Sequence, residues 1–240
     1  MKIIDINSIP RNLPENHKEQ EVVVPPKRGK RKWYIIGFCV TLFAALFAWF
    51  CFYLRGVKDL KAQDDVFQAI YHFEAGDFDK ALKGDGIHKG FLEVIQQYPY
   101  TVTANLACLY TGIAYMHQKE YEQACAFLSK FKAKDFILQA RAWCVMGDAY
   151  SEQKKYRQAA VHYMKAARYK PNNVYTPGYL VKAAIAFEAD AKDEARSAHE
   201  ANEQYKNAYN CYQEILEKYP NSAHASGLAI KESSRLSGLF

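Results

Sequence analysis

The stretch GDAYSEQKKYRQAAVHYMKAARYKP, Gly147 to Pro171, sets six Lys or Arg among tyrosines with only two acids. Such a mixture could hold phosphates and stack on bases. Other reactive types are scattered. Of six cysteines, Cys39 and Cys51 lie in an apolar run, and Cys108, Cys125, Cys144 and Cys211 show no metal-ligand spacing. They read as small buried residues, and nothing in their spacing pairs any two as a disulfide. No two of the seven histidines form a ligand pair on one helical face, and no serine sits in a nucleophile elbow. The GDG at Gly84 to Gly86 lacks the acidic array of a calcium loop and the Gly-Lys-Ser/Thr of a phosphate loop, so it reads as a turn. The expectation is a protein that binds rather than catalyses, with no cofactor, metal or small-molecule substrate.

Charge placement argues against nucleic acid. Residues 1–32 hold eight Lys or Arg and four acids, whereas residues 55–240 hold twenty-four and twenty-two. A phosphate binder concentrates its basic excess on the folded part, and here that part is close to neutral. The two regions are separated by Trp33 to Leu54, WYIIGFCVTLFAALFAWFCFYL, twenty-two residues without a charge. At about 1.5 Å per residue this crosses a hydrocarbon core of roughly 30 Å. Trp33, Tyr34, Trp49 and Tyr53 mark its ends, where aromatic rings prefer the interface. The run exceeds the apolar region of a cleaved signal peptide, and the bulky residues after it offer no cleavage site. It reads as an uncleaved anchor, residues 33–54. KRGKRK, Lys27 to Lys32, carries five positive charges, against Arg55, Lys58 and Lys61 on the far flank. That bias places the N-terminus in the cytoplasm and residues 55–240 across the membrane. Residues 1–32 read as a flexible basic tail.

A repeat governs the remainder. Gly112 matches Gly147, Tyr115 matches Tyr150, Tyr121 matches Tyr156 and Ala124 matches Ala159, each pair thirty-five apart. Trp143, Met146, Gly147, Tyr150, Ala159, Tyr163, Ala166 and Pro171 then fill nearly the whole pattern of a 34-residue helix-turn-helix unit, and here the chain resembles the tetratricopeptide repeat. The physics is plain. Small residues let two antiparallel helices approach, aromatic residues fill the space beside them, and Pro171 stops the second helix. Lys155, Arg157, Lys165 and Arg168 take positions the packing leaves free, which makes a positive outer face. The residues Glu188 to Glu203, six acids against two bases, would make a negative one nearby.

Weaker copies flank this pair. Gly76, Phe78 and Ala81 reproduce a turn and the start of a second helix, with KGDGIHKG as a loop before a further helical segment. Ala184, Phe187, Tyr205, Ala208, Tyr212 and Pro220 supply a fourth copy containing twelve inserted residues, expected to lengthen both helices. Units of about 62–99, 103–134, 139–171 and 177–220 with a cap at 222–238 follow. The fold class is all-α: a solenoid of three to four hairpins plus a capping helix, behind one transmembrane helix.

The resemblance implies that the first helix of each unit lines a groove for peptides or protein segments. From the glycine register the groove candidates are Leu109, Ile113 and Met116, then Arg141, Cys144, Asp148 and Glu152, then Val181 and Ile185. Family members that grip acidic chaperone tails carry Lys and Asn where Leu109 and Ile113 stand, so that specificity is not expected. In layout the chain is similar to bacterial proteins with a short cytoplasmic tail, one span and a periplasmic repeat domain, among them the ancillary subunit of the Sec translocon. The implied function is a membrane-tethered scaffold for envelope or secreted proteins. A self-assembling component of a larger membrane complex is the alternative, and repeats in the cytosol a third.

Overall fold

The computed structural model describes residues 28–193 and 196–239. The expectation of a flexible tail falls on residues 1–27, outside the described residues, and on residues 28–32, whose side chains are also outside them. By contacts the chain divides into two units, Met1–Trp49 and Phe50–Phe240. In the first, every described residue is helical and every described side chain is exposed. The helix concerned, α1 (Arg28–Glu74), is long and apolar enough over Trp33–Glu74 to cross a membrane.

The second unit is a stack of helices with no strand among the described residues and one isolated bridge, Gly84 to Lys89. After α1 come α2 (Phe78–Lys83), α3 (Phe91–Gln97), α4 (Val102–His117), α5 (Tyr121–Lys130), α6 (Phe136–Glu152) and α7 (Tyr156–Arg168). Then follow α8 (Thr176–Ala191), α9 (Ala198–Lys218), a π-helical turn Ala225–Ala229 and α10 (Ile230–Leu236). Neighbours in sequence pack on one another, α4 with α5, α6 with α7, α7 with α8 and α8 with α9, which is the order a helical-hairpin solenoid requires.

Three hairpins turn in the same way. After α1 the Gly76 N–H donates to Phe73 O and the Asp77 N–H to His72 O, a Schellman turn with Gly76 at φ +79°. Lys119 after α4 and Lys154 after α6 repeat both bonds at φ +64° and +60°. Lysine thus occupies the left-handed position where glycine costs least. Two of the first helices, α4 and α6, begin on side-chain caps: Thr101 Oγ1 accepts from the Ala104 N–H and Asp135 Oδ1 from the Leu138 N–H.

The first hairpin departs from the others because its second helix is broken in two. Gly84 and Gly86 both lie at φ +90°, and a Cβ on Gly84 would meet the Gly90 backbone nitrogen at 3.0 Å. Asp85 Oδ1 accepts from the N–H groups of Ile87 and His88. Those bonds, the one from His88 foremost, hold its carboxyl far below the usual range. α3 then resumes, so that Phe91 and Val94 close a core with Ala62, Val66 and Ala69 of α1. In the last hairpin, seven of the twelve inserted residues extend the front of α9 and two the end of α8; the rest lie between the helices.

Of the residues read as packing positions, the small ones and Tyr163 are buried, whereas Tyr115, Trp143 and Tyr150 are half-buried. Gly112 faces Leu128 and Gly147 faces Tyr163; in each case a Cβ would overlap the side chain opposite. Ala124, Ala159 and Ala166 are buried beside them. Tyr115 stacks on Phe127, Tyr150 on His162, and Trp143 meets Tyr169 edge to face at 5.1 Å. Pro171 lies exposed, just beyond the end of α7.

The outer surface is less polarised than the sequence suggests. Arg157 pairs with Asp190, Arg168 makes a two-pronged pair with Glu214, and Arg235 of α10 pairs with Glu188. Lys165 stands over the Trp143 ring at 4.7 Å. Bases of the opening stretch are therefore spent on the next hairpin and on an aromatic face. Two acids of the insert, Glu188 and Asp190, are themselves buried in those pairs. This corrects the expectation of bare positive and negative faces.

Candidate functional site

The groove candidates fall on α4, α6 and α8, and they separate by register. Counting from the glycine position (Gly112, Gly147 and Ala184), the residue three earlier is buried every time. Leu109 is 4% exposed, Cys144 2% and Val181 8%. These three pack inside the solenoid, out of a partner's reach. The residue one after the glycine position is open in all three: Ile113 and Asp148 are half-buried, and Ile185 is 56% exposed. Met116 is half-buried and Arg141 exposed. Glu152, at the end of α6, is engaged instead by the Tyr121 hydroxyl of α5.

The polar centre of this face is Asp148. Its Oδ1 accepts from the Tyr163 hydroxyl at 2.7 Å and from Lys182 Nζ at 2.6 Å, and Lys182 also stands 5.6 Å over the Tyr163 ring. Burial is the largest single influence on Lys182 and works against its charge, but the Asp148 hydrogen bond together with the neighbouring Cys144 and the Asp148 charge outweighs it and raises its pKa. Burial, then the hydrogen bond its own hydroxyl makes to Asp148, pushes Tyr163 far above the ordinary phenol range. Cys144 lies alongside, its thiol pushed up to about 11 by burial and then by the Asp148 charge, so it stays protonated at neutral pH. Lys182 was not among the groove candidates. Its role depends on how far α8 is displaced along α6, a quantity the register of one hairpin does not contain.

Chemically, the face offers one lysine–carboxylate–phenol cluster between apolar side chains. A polypeptide can use both parts, hydrogen-bonding to the cluster and laying apolar side chains on Ile113, Met116 and Ile185. Among the described residues no group of three or more His, Cys, Asp or Glu is placed to hold a metal ion.

Stacked antiparallel hairpins with small residues at each crossing and an open row of first helices define the class, a helical-repeat solenoid. Tetratricopeptide-repeat family models match the chain at residues 140–173 in one case and at residues 107–135 and 179–222 in the other. The matched intervals carry α4 with α5, α6 with α7 and α8 with α9. Over these intervals the chain carries tetratricopeptide repeats. No curated protein matches it in sequence.

Proposed function

We propose that this protein is a membrane-tethered adaptor that holds a polypeptide segment of an envelope or secreted protein along α4, α6 and α8. The observation that carries the reading is the open row Ile113, Met116, Arg141, Asp148, Lys182 and Ile185 on three successive first helices. Tetratricopeptide repeats are modules for binding proteins, and an apolar row around one charged cluster suits a partly hydrophobic segment better than an acidic tail. The uncharged Trp33–Leu54 supplies the tether, and the basic bias of Lys27 to Lys32 sends the repeats across the membrane.

The test is affinity capture with the full chain from native membranes, beside Arg141→Glu/Ile185→Asp. Both side chains are exposed, so folding should be unaffected, and partners held by the groove should be lost from the variant. Identical captures would remove the groove from consideration. Protease accessibility of the C-terminal domain in intact cells reads the topology separately.

A second reading, self-association, has its own observation. Leu60, Phe67 and Tyr71 are exposed on the side of α1 opposite Ala62, Val66 and Ala69. Sizing of the detergent-solubilised chain distinguishes a dimer built on that stripe from a monomeric adaptor.

A further inference from the structure

The first helices α4, α6 and α8 run in the same direction, so their N-terminal ends lie along one edge of the repeat unit. At that edge the chain exposes apolar side chains beside lysines. Tyr100 is 84% exposed and Val102 68%, immediately before and within the first turn of α4. Ile137 and Leu138 open α6, and the connection before α8 carries exposed Val174 with Lys170. Ordinary solvent-facing connections are polar, so this repetition calls for a reason.

Between the α3–α4 and α5–α6 connections lies a largely apolar groove of about 920 Å³. Four bases, Arg55, Lys130, Lys132 and Lys134, line it against one acid, Asp135, whose carboxylate already caps α6. The edge is tied to the base of α1. Asp59 Oδ1 accepts from the Thr103 N–H at 2.9 Å, and the Asn105 side chain exchanges two hydrogen bonds with the Lys132 backbone. Asp59 is five residues past Leu54, the last residue of the uncharged run, or about 7.5 Å along a helix. Arg55 of the groove lining follows Leu54 directly in the chain.

We infer that this edge is a docking surface for an anionic bilayer: Arg55 and the three lysines meet lipid phosphates, and Tyr100 and Val102 enter the interfacial layer. The inference rests on the tether proposed above. Aromatic and aliphatic side chains favour that layer, and each basic residue near an anionic surface strengthens attachment about fivefold. A protein partner is the competing occupant. The net positive rim and the closeness of Leu54 favour lipid.

The experiment uses the full chain in nanodiscs of phosphatidylcholine with or without phosphatidylglycerol, with amide hydrogen exchange read at residues 100–106 and 130–135. Co-elution with discs of either lipid reports the tether. Phosphatidylglycerol should slow exchange in both segments by about tenfold or more, consistent with two or more basic contacts. High salt and Lys130→Gln/Lys132→Gln/Lys134→Gln should each abolish the slowing; the triple variant keeps the tether and all backbone bonds. A chain that co-elutes with discs yet exchanges equally fast on both lipids overturns the docking surface and leaves the tether standing. Failure to co-elute overturns the tether, and the surface with it. Slowing that needs added membrane proteins also overturns the inference and assigns the edge to a protein. Tyr100→Gln/Val102→Gln serves as a second variant and should lose the slowing even where lysines remain.

Discussion

Replacing Gly147 by Ala puts the repeat packing to its sharpest test. A Cβ at this position would lie 2.5 Å from Tyr163 Cε1, 2.6 Å from Cδ1 and 3.0 Å from Cζ. Carbon atoms in good contact stand at about 3.5–4.0 Å, so ring and helix must separate by about 1 Å. The ring has little room to yield. It is buried, its hydroxyl is bound to Asp148, and Lys182 lies over its face. Overpacking of this kind costs about 1–3 kcal/mol, and alanine returns up to about 1 kcal/mol in helix propensity. The net expectation is a loss of about 1–2 kcal/mol, read as a lower midpoint in urea unfolding of the detergent-solubilised chain by far-UV circular dichroism. Gly56→Ala is the control: it is also helical, nothing lies within 4 Å of its Cβ, and it should be neutral or slightly stabilising. Combining Gly147→Ala with Tyr163→Leu should cost less than the sum of the single changes, because the smaller side chain vacates the overlap. A Gly147→Ala protein as stable as the parent would refute the claim that close approach is why glycine stands there.

Two further expectations use the same unfolding assay. Lys154→Gly should stabilise by about 1 kcal/mol, because glycine enters the left-handed region without the penalty lysine incurs, as Gly76 already does in the first hairpin; a loss of stability would mean that the Lys154 side chain matters more than its backbone. His162, stacked on Tyr150, has its pKa lowered by burial and then by Lys165. The unfolded chain therefore takes up this proton first. Stability is fully present above the ordinary value of 6.5 and falls as pH drops below it towards the folded pKa. His162→Phe should flatten the profile between about pH 7 and pH 5, and parallel profiles would exclude His162 as the source.

What could be read in the chain is what sterics impose on one residue at a time. Gly147, Ala159 and Ala166 must be small wherever two helices cross at that distance, so their spacing revealed the repeat before any coordinates. The interruption after Lys83 was visible too, as glycines in an otherwise helical stretch. Properties set by pairs of hairpins were hidden. Leu109 and Val181 share a helical face with Ile113 and Ile185, and only the neighbouring unit's position decides that the first two are covered. The pairing of Asp148 with Lys182 has the same origin. The left-handed lysines were hidden for another reason: Lys119 and Lys154 look like ordinary turn residues because side-chain type records the backbone angle only when glycine is used.

The ion pairs between hairpins bear on how such an array can evolve. Arg157 to Asp190, Arg168 to Glu214 and Glu188 to Arg235 each join one hairpin to the next element, and the order of sign reverses at the last step. Hairpins that share one backbone shape therefore differ in which neighbour they accept. Copying the unit Ala140 to Asn173 beside itself would set Arg157 and Arg168 against a surface lacking Asp190 and Glu214. Growth by tandem duplication would lose these pairs unless the duplicated edge were rewritten at the same time.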